Sequence, residues 1–318
     1  MTQPLSMWKD TPTKQAILDF VDKVTADGKD SLVAPADRIA TFDNDGTLWC
    51  EKPVVQGVFI ADRLAAMVKA DPSLGDTQPW KAIADGDSSW IDNAVTKHYN
   101  GDNQDLKALF GAVLKGFGDI TMEDFENKAT SFYESSRHPV FKQPYQSLGY
   151  LPMVELLRYL ESNEFTCYIV SGGGRDFMRP VTESMYGIPF ERVVGSSSEL
   201  DFKADDKGAN IIHSAAATHG IVDDGPGKPV QIWTRIGRRP IMAVGNANGD
   251  VPMLQYAAGQ SGPTLCMLVN HDDETREVKY SSGAEKAVKE AGTQGWTVIS
   301  MKNDWDRVFA FQEQKAAS

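Results

Sequence analysis

The fold of this chain is decided by one short stretch, IATFDNDGTL, which runs from Ile39 to Leu48. Its apolar half is typical of a buried strand, and this strand ends at two carboxylates, Asp43 and Asp45, followed by a Gly-Thr turn. A spacing of two positions directs both side chains into one crevice at the carboxyl end of a sheet, where open α/β folds bind ligands. Because like charges in one site repel, the pair requires a cation, a shared proton or a phosphate reaction.

The sequence around this stretch predicts an α/β fold. A helix is predicted over residues 13–26 and the first strand over 38–42. From residue 149 onward, short β-rich runs alternate with helical periods, and the predicted strands span 165–170, 192–197, 241–245, 264–269 and 296–301. Strands that alternate with helices indicate βαβ units and a parallel sheet.

Residues 52–148 follow a different pattern. Strand-like runs are scarce there and apolar residues recur at helical spacing, with a capping-box sequence at 121–124 that opens one helix. This stretch is therefore predicted to be a helical insertion. A second distinct segment, residues 199–227, is polar and contains glycines, and it is predicted to form a hairpin or a flap.

The composition argues against several classes of partner. The 318 residues carry a formal net charge of −12, whereas nucleic acids and anionic membranes are bound through clustered Lys and Arg. We therefore expect no nucleic acid and no membrane partner, and a local positive site for a small anionic substrate. No run approaches the ~20 apolar residues of a membrane helix. The first residues lack an apolar signal core, so a cytoplasmic protein is expected, or a periplasmic one if a signal peptide was removed.

Three further loops carry residues suited to an anion and its counter-ions. Ser171–Gly174 follows a predicted strand and opens a helix, so that a hydroxyl and bare backbone amides meet at a helix N-terminus, where anions bind. Lys228 precedes Pro229 at the start of another helix. The loop Gly245–Asp250, GNANGD, follows a strand and supplies one carboxylate. Each loop alone is also compatible with an ordinary solvated turn, but their joint occurrence at strand ends and helix starts indicates a site.

In order and in setting, the four loops resemble the motifs of the haloacid dehalogenase (HAD) superfamily, whose members mostly cleave phosphate esters. The similarity covers residues 38–50 and 165–270 and is closest to the phosphoserine phosphatase-like branch, which carries a helical cap after the first motif. The resemblance implies a Rossmann-like parallel sheet core formed by residues 1–51 and 149–318, with an inserted α-helical cap at 52–148. It further implies a Mg²⁺-dependent phosphomonoesterase that hydrolyses a small phosphorylated metabolite through an aspartyl-phosphate intermediate.

The resemblance also assigns roles to individual residues. Asp43 is the expected nucleophile, Asp45 the expected general acid and base, and Lys228 the cation that offsets the charge of nucleophile and phosphate. The residues expected to bind the phosphoryl group are Thr47, Ser171, Gly172 and Gly173. The expected Mg²⁺ ligands are Asp43, Asp45 through its backbone carbonyl, Asn246 and Asp250.

Two positions refine these expectations. Members of the superfamily usually have Gly-Asp where this chain has Gly245-Asn246, and an amide oxygen still ligates Mg²⁺ although one negative charge is missing. The acid at Asp45 favours phosphate esters over halides, because a halide leaves without a proton. A phosphotransferase or mutase of the same superfamily and a catalytically inactive phosphate-binding protein remain as alternatives. The protein is expected to be a monomer or a homodimer.

Overall fold

The strands form one large sheet and one separate hairpin. The structure is a computed structural model that describes residues 4–28, 30–87, 89–99, 101–205, 208–214 and 220–312. Within these residues the strands are β1 (Ile39–Phe42), β2 (Thr166–Gly174), β3 (Val193–Ser198), β4 (Leu200–Asp205), β5 (Gly208–His213), β6 (Gly220–Ile221), β7 (Met242–Gly245), β8 (Leu265–Asn270) and β9 (Thr297–Ser300). The large sheet has the order β6-β3-β2-β1-β7-β8-β9, and only its β3–β6 pair is antiparallel. The predicted α/β class with a parallel sheet is confirmed.

Helices flank the sheet and fill the chain between β1 and β2. In the described ranges they are α1 (Pro12–Thr25), α2 (Val55–Ala70), α3 (Trp80–Ala84), α4 (Ser89–Tyr99), α5 (Gln104–Phe117), α6 (Met122–Ser135), α7 (Leu151–Ser162), α8 (Arg175–Tyr186), α9 (Gly227–Ile236), α10 (Val251–Ala258), α11 (Glu285–Gln294) and α12 (Met301–Asp304). None of these helices combines the length and the apolar composition that crossing a membrane requires.

Strand β1 lies between β2 and β7, and all four of its residues are buried. In β7, Met242 and Val244 pack into one apolar cluster and Ala243 into another. The first cluster includes residues of α1, α7 and α8, and the second includes residues of α9, α10 and α11. Because successive side chains of a strand point to opposite faces, a strand covered on both faces is apolar at most of its positions. This layering fixes the carboxyl end of β1 beside those of β2 and β7.

The segment 52–148 is helical, as predicted, and its described residues contain no strand. It packs directly on the rest of the protein: the ring of Phe59 in α2 lies 5.0 Å from that of Phe177 in α8, and the Tyr133 hydroxyl donates to the Phe177 carbonyl over 3.0 Å. The predicted start of α6 is confirmed by its cap, since the Thr121 hydroxyl accepts a hydrogen bond from the Asp124 amide. The division into a core and a cap domain stays a prediction.

Three local features refine the predicted elements. Strand β2 continues through the glycines to Gly174, because Ser171 and Gly174 still pair with β3 across a register shift. Helix α11 was not predicted, since its buried residues are the small Ala287 and Ala291, which give a weak periodic signal. The polar segment 199–227 was predicted to form a hairpin or a flap, and it contains the β4–β5 hairpin and the short strand β6. Its residues 206–207 and 215–219 lie outside the described ranges.

Candidate active site

The loop after β1 is a tight turn that holds both acids at the sheet edge. The Asp43 amide donates to the Val244 carbonyl over 2.9 Å, which ties the loop to β7. The Asn44 carbonyl then accepts hydrogen bonds from the amides of three residues, Thr47, Leu48 and Trp49, at 3.2, 2.8 and 3.2 Å. Gly46 has φ +75°, and a Cβ there would collide with the Asn246 amide group. The turn therefore needs glycine for its backbone and for the close approach of the loop after β7.

Lys228 joins two of the predicted carboxylates. Its Nζ lies 2.7 Å from Asp43 Oδ1 and 2.6 Å from Asp250 Oδ1, and it donates a third hydrogen bond to the Val170 carbonyl at 2.9 Å. The residue is only 1% exposed, so the usual solvated state of a lysine does not apply here. Burial by itself would lower the pKa of Lys228, but Asp250 and Asp43 outweigh it and raise the pKa, so the ammonium stays charged.

Asp45 has one carboxyl oxygen bound and the other facing the glycine loop. The Trp49 indole donates to Oδ1 over 2.9 Å. A Cβ on Gly173 would lie 3.2 Å from Oδ2 and 3.3 Å from the Ser171 hydroxyl oxygen, so a side chain there would crowd both groups. Burial, followed by the charge of Glu51, raises the pKa of Asp45 to about 6. A carboxyl with such a pKa can donate and accept a proton near neutral pH.

The glycine loop at the end of β2 presents a hydroxyl and backbone amides at the start of α8. The Ser171 hydroxyl oxygen accepts from the Gly173 amide at 3.1 Å. The Gly174 amide donates to Gln56 Oε1 at 2.7 Å, so a side chain of α2 reaches into the loop. A hydroxyl and backbone amides at a helix N-terminus suit an anion. The phosphate-binding role of Ser171, Gly172 and Gly173 stays a prediction.

The loop after β7 orients Asp250 and Asn246. Asp250 Oδ2 accepts from the backbone amides of Asn246 and Ala247, both at 2.9 Å. The Asn246 side chain accepts from the Thr47 hydroxyl at 3.3 Å, and its Nδ2 lies 3.4 Å from Glu51 Oε2. The four loops therefore meet at one edge of the sheet, and each predicted site residue lies in one of them.

Comparison of the sequence with family profiles gives a match over residues 40–255 to the family described as haloacid dehalogenase-like hydrolase. The chain belongs to this family. The similarity expected from the four loops is thereby confirmed, and the protein is a hydrolase of the HAD type. Comparison with curated proteins gives no significant match.

Several solved structures resemble this HAD hydrolase. A protein of unknown function from Anaerococcus prevotii is 17% identical, with 90% of this chain and 91% of that chain covered and a TM-score of 0.51. One from Bordetella pertussis, also of unknown function, is 16% identical, with 82% and 97% covered and a TM-score of 0.50. A phosphoserine phosphohydrolase-like protein from Francisella tularensis is 15% identical, with 82% and 94% covered and a TM-score of 0.46. At these identities the similarity concerns the fold alone.

The donor atoms in the HAD site suit a hard divalent cation. Three buried acids, Asp43, Asp250 and Glu51, and the half-buried Asp45 lie in this site, and the fully buried ammonium of Lys228 contacts two of them, Asp43 and Asp250. With the protein's own groups alone, burial and the charge of Asp250 raise the pKa of Asp43, although Lys228 opposes the shift. Further positive charge would therefore favour the ionised form of Asp43.

The predicted Mg²⁺ ligands combine carboxylate, amide and backbone carbonyl oxygens. No three His, Cys, Asp or Glu side chains are grouped as a metal site in the part of the chain that the structure describes. Carboxylate, amide and backbone carbonyl oxygens, as predicted for Asp43, Asp250, Asn246 and Asp45, are nevertheless the donors that Mg²⁺ takes, usually together with water. The donor set fits Mg²⁺, and the role of each residue as a ligand stays a prediction.

A pair of acids before α9 adds residues that the sequence did not reveal. Asp224 Oδ1 lies 3.4 Å from where a Cβ on Gly172 would be, so the carboxylate borders the glycine loop. His98 Nε2, from α4, lies 2.9 Å from Asp224 Oδ2. This contact raises the pKa of His98 and, against the opposing effect of burial, holds the pKa of Asp224 below its usual value. Asp223 beside it is fully buried, and burial raises its pKa to about 8.

Further residues missed by sequence reasoning are Gln56, His98 and Tyr280. Gln56 and His98 come from the helical segment, and Tyr280 follows β8 far along the chain, where its hydroxyl contacts Glu51 and Asn246. None of them lies within a motif, and no local spacing links them to the four loops. Only the packing of α2, α4 and the loop after β8 on the sheet brings them to the site.

Proposed function

We propose that this HAD hydrolase is a Mg²⁺-dependent phosphomonoesterase that acts on a small phosphorylated metabolite. The observation that carries the proposal is the position of Lys228, whose buried ammonium holds Asp43 and Asp250 at hydrogen-bond distance beside the glycine loop. Such an arrangement suits a phosphate anion that has to approach an anionic nucleophile. The net charge of −12 supports a small substrate rather than a nucleic acid.

In the first half of the proposed reaction, Asp43 attacks phosphorus. The Lys228 ammonium binds Asp43 Oδ1, which leaves Oδ2 as the attacking atom. Two unit charges at 4 Å repel by about 4 kcal/mol at an effective dielectric constant near 20, so a cation between them changes the barrier substantially. The bond from phosphorus to the leaving oxygen breaks, and Asp45 donates its proton to that oxygen.

In the second half, the aspartyl-phosphate on Asp43 is hydrolysed. Asp45, now ionised, takes a proton from water, whose oxygen attacks phosphorus and releases inorganic phosphate and the Asp43 carboxylate. A pKa near 6 allows Asp45 to alternate between the two states. The amides and hydroxyl of the glycine loop hold the phosphoryl oxygens in both halves.

The predicted ligands Asp43, Asp250, Asn246 and the Asp45 carbonyl would hold the metal ion. When bound, Mg²⁺ supplies positive charge that polarises a phosphoryl oxygen and stabilises the charge of the transferring group. Lys228 provides the complementary positive charge from the interior side, where it is bound by the Val170 carbonyl.

The test is hydrolysis of p-nitrophenyl phosphate by the wild type and by Asp43→Asn, each with Mg²⁺ and with EDTA. We expect activity that EDTA stops and Mg²⁺ restores, and a loss on the order of a thousandfold or more in Asp43→Asn. Asp304→Asn is the matched control, because Asp304 is equally buried but lies outside the site. Substantial activity of Asp43→Asn would exclude the covalent mechanism, and full activity in EDTA would exclude the metal.

Product analysis in the presence of acceptor alcohols separates hydrolysis from transfer. A hydrolase releases one inorganic phosphate for each nitrophenol, whereas a phosphotransferase yields a phosphorylated alcohol in its place. We expect equal amounts of phosphate and nitrophenol.

A further inference from the structure

Glu51, Tyr280 and Asn246 form a closed polar cluster beside the predicted metal ligands. Asn246 Nδ2 lies 3.4 Å from Glu51 Oε2 and 3.3 Å from the Tyr280 hydroxyl oxygen. The Tyr280 hydroxyl in turn donates a short hydrogen bond to the same Glu51 oxygen. Glu51 and Asn246 are 5% and 2% exposed, so water has little access to this cluster.

The chemistry of these groups fixes the orientation of the Asn246 amide. An ionised carboxylate only accepts hydrogen bonds, so the NH₂ of Asn246 has to face Glu51. The Tyr280 proton is committed to Glu51, which leaves the Tyr280 oxygen to accept from the same NH₂. The amide oxygen is thereby directed to the Thr47 hydroxyl, on the loop that carries Asp43.

The support for Tyr280 and Glu51 comes from the loop after β8 and from Lys52. The Tyr280 ring stacks on the His271 ring at 4.2 Å, and His271 Nε2 donates to the Gly46 carbonyl at 2.8 Å. Lys52 Nζ lies 3.6 Å from Glu51 Oε1 and 5.3 Å from the Tyr280 ring centre. The cluster is therefore anchored to the turn between Asp43 and Thr47, so that its geometry and that of the turn are linked.

We propose that Glu51, held by Tyr280, is a positioning residue for the metal site: it directs the Asn246 oxygen toward the cation and supplies the negative charge that an amide lacks. The proposal rests on the Mg²⁺-dependent function proposed above. It makes a specific claim of coupling, because residues 51 and 246 together carry one negative charge. That charge should be exchangeable between the two positions.

The test is a double-mutant cycle read by Mg²⁺ affinity, measured by calorimetry on the full chain without substrate. The variants are Glu51→Gln, Asn246→Asp and the two combined. We expect Glu51→Gln to weaken binding about 10-fold or more, as is usual when a partner of a ligand is removed. Asn246→Asp alone should not tighten binding, since it sets two carboxylates 3.4 Å apart. The combined variant should recover most of the affinity lost in Glu51→Gln.

Tyr280→Phe provides a second variant that keeps the ring and its stacking on His271. Removal of the hydroxyl frees the Asn246 amide to turn, and we expect weaker Mg²⁺ binding by the folded variant. Glu155→Gln is the matched control, because Glu155 binds the Ser6 and Met7 amides far from the site and should leave Mg²⁺ affinity unchanged.

The outcomes distinguish this inference from the function on which it rests. If the wild type binds Mg²⁺ and hydrolyses p-nitrophenyl phosphate, but Glu51→Gln and Tyr280→Phe bind Mg²⁺ as the wild type does, the inference is wrong and the function stands. Strictly additive effects in the cycle, with no recovery in the combined variant, would also overturn it. A wild type that binds no Mg²⁺ would refute both.

Discussion

The Trp49 indole donates its N–H to Oδ1 of Asp45 over 2.9 Å, and this bond selects which carboxyl oxygen faces the glycine loop. Trp49 is buried, with its ring 6.0 Å from that of Tyr133, so it cannot turn away without disturbing the packing. Oδ2 of Asp45 is consequently the atom that lies beside Gly173. An indole four residues after Asp45, the second acid of the pair, thus orients the carboxyl that is proposed to transfer the proton.

The Trp49→Phe substitution should raise the pKa of Asp45. The indole hydrogen bond stabilises the ionised carboxylate, and the substitution removes it. The kcat/KM for an ester reports the first half of the reaction, in which Asp45 has to be protonated. We therefore expect the decline of kcat/KM at high pH to move to higher pH in this variant. The measurement is a pH–rate profile with p-nitrophenyl phosphate and saturating Mg²⁺.

The control for that substitution is Trp80→Phe, which removes a buried indole from α3, away from the four loops. We expect the dependence of kcat/KM on pH to be the same in Trp80→Phe as in the wild type. An identical profile for Trp49→Phe and the wild type would mean that the indole does not influence proton transfer.

Asp45 should also lower the stability of the protein in magnesium-free buffer. Its pKa is about 6 in the folded state against 3.8 for an ordinary aspartate, so the folded state binds more protons between these two pH values. Stability therefore falls as pH rises through this window, by about 3 kcal/mol at most. We expect Asp45→Asn to unfold at higher urea concentration than the wild type at pH 7.5, with the difference vanishing below pH 4. A difference that does not depend on pH would contradict the raised pKa.

Lys228→Met should destabilise the fold, because it leaves Asp43 and Asp250 buried without their common partner. Removal of one partner of a buried ion pair costs about 3–5 kcal/mol, which urea unfolding can measure. The matched control is Lys14→Met: Lys14 is also buried, but its partner Asp10 has a side chain that is 81% exposed and can be solvated. Equal losses for the two variants would show that the buried carboxylates do not depend on Lys228.

The contact between His98 and Asp224 should give α4 a pH-dependent attachment. Because the Asp224 carboxylate raises the pKa of His98, the stabilisation is complete at low pH and is lost as pH rises through that raised pKa. We expect the melting temperature of the wild type to exceed that of His98→Gln more at pH 5.5 than at pH 8.5. Lys97→Gln, which alters the exposed neighbour bound to Asp105, should show no such pH dependence. If the melting temperatures of the wild type and His98→Gln differ by the same amount at both pH values, the charge of His98 does not contribute to this contact.

The sequence predicts those parts of the site that are encoded locally. Asp43, Ser171, Lys228 and Asp250 each stand at a strand end or a helix start, where a few neighbouring residues determine the backbone. The strand β1 was predictable for the same reason, since three apolar residues and a β-branched threonine suit a strand that is covered on both faces.

The remaining features depend on long-range packing. His98 reaches Asp224 over 126 positions and Tyr280 reaches Glu51 over 229, and no periodicity records such a contact. Asn246 was visible as a departure from the family pattern, but its orientation follows from Glu51, which only the folded chain brings to it. Helix α11 escaped prediction because alanines bury little apolar surface and leave little pattern.

The Gly174 amide donates its one proton to Gln56, a residue of helix α2. In the reaction proposed above, a phosphoryl oxygen bound by the glycine loop would compete with α2 for that proton. An amide carries a single hydrogen, so a phosphoryl oxygen that takes it has to displace the glutamine carbonyl. Arrival of the anion and release of α2 from the glycine loop would then be the same event, and the departure of product would let the glutamine return. The Gly174–Gln56 hydrogen bond would in this way be present in the free protein and broken when phosphate is bound.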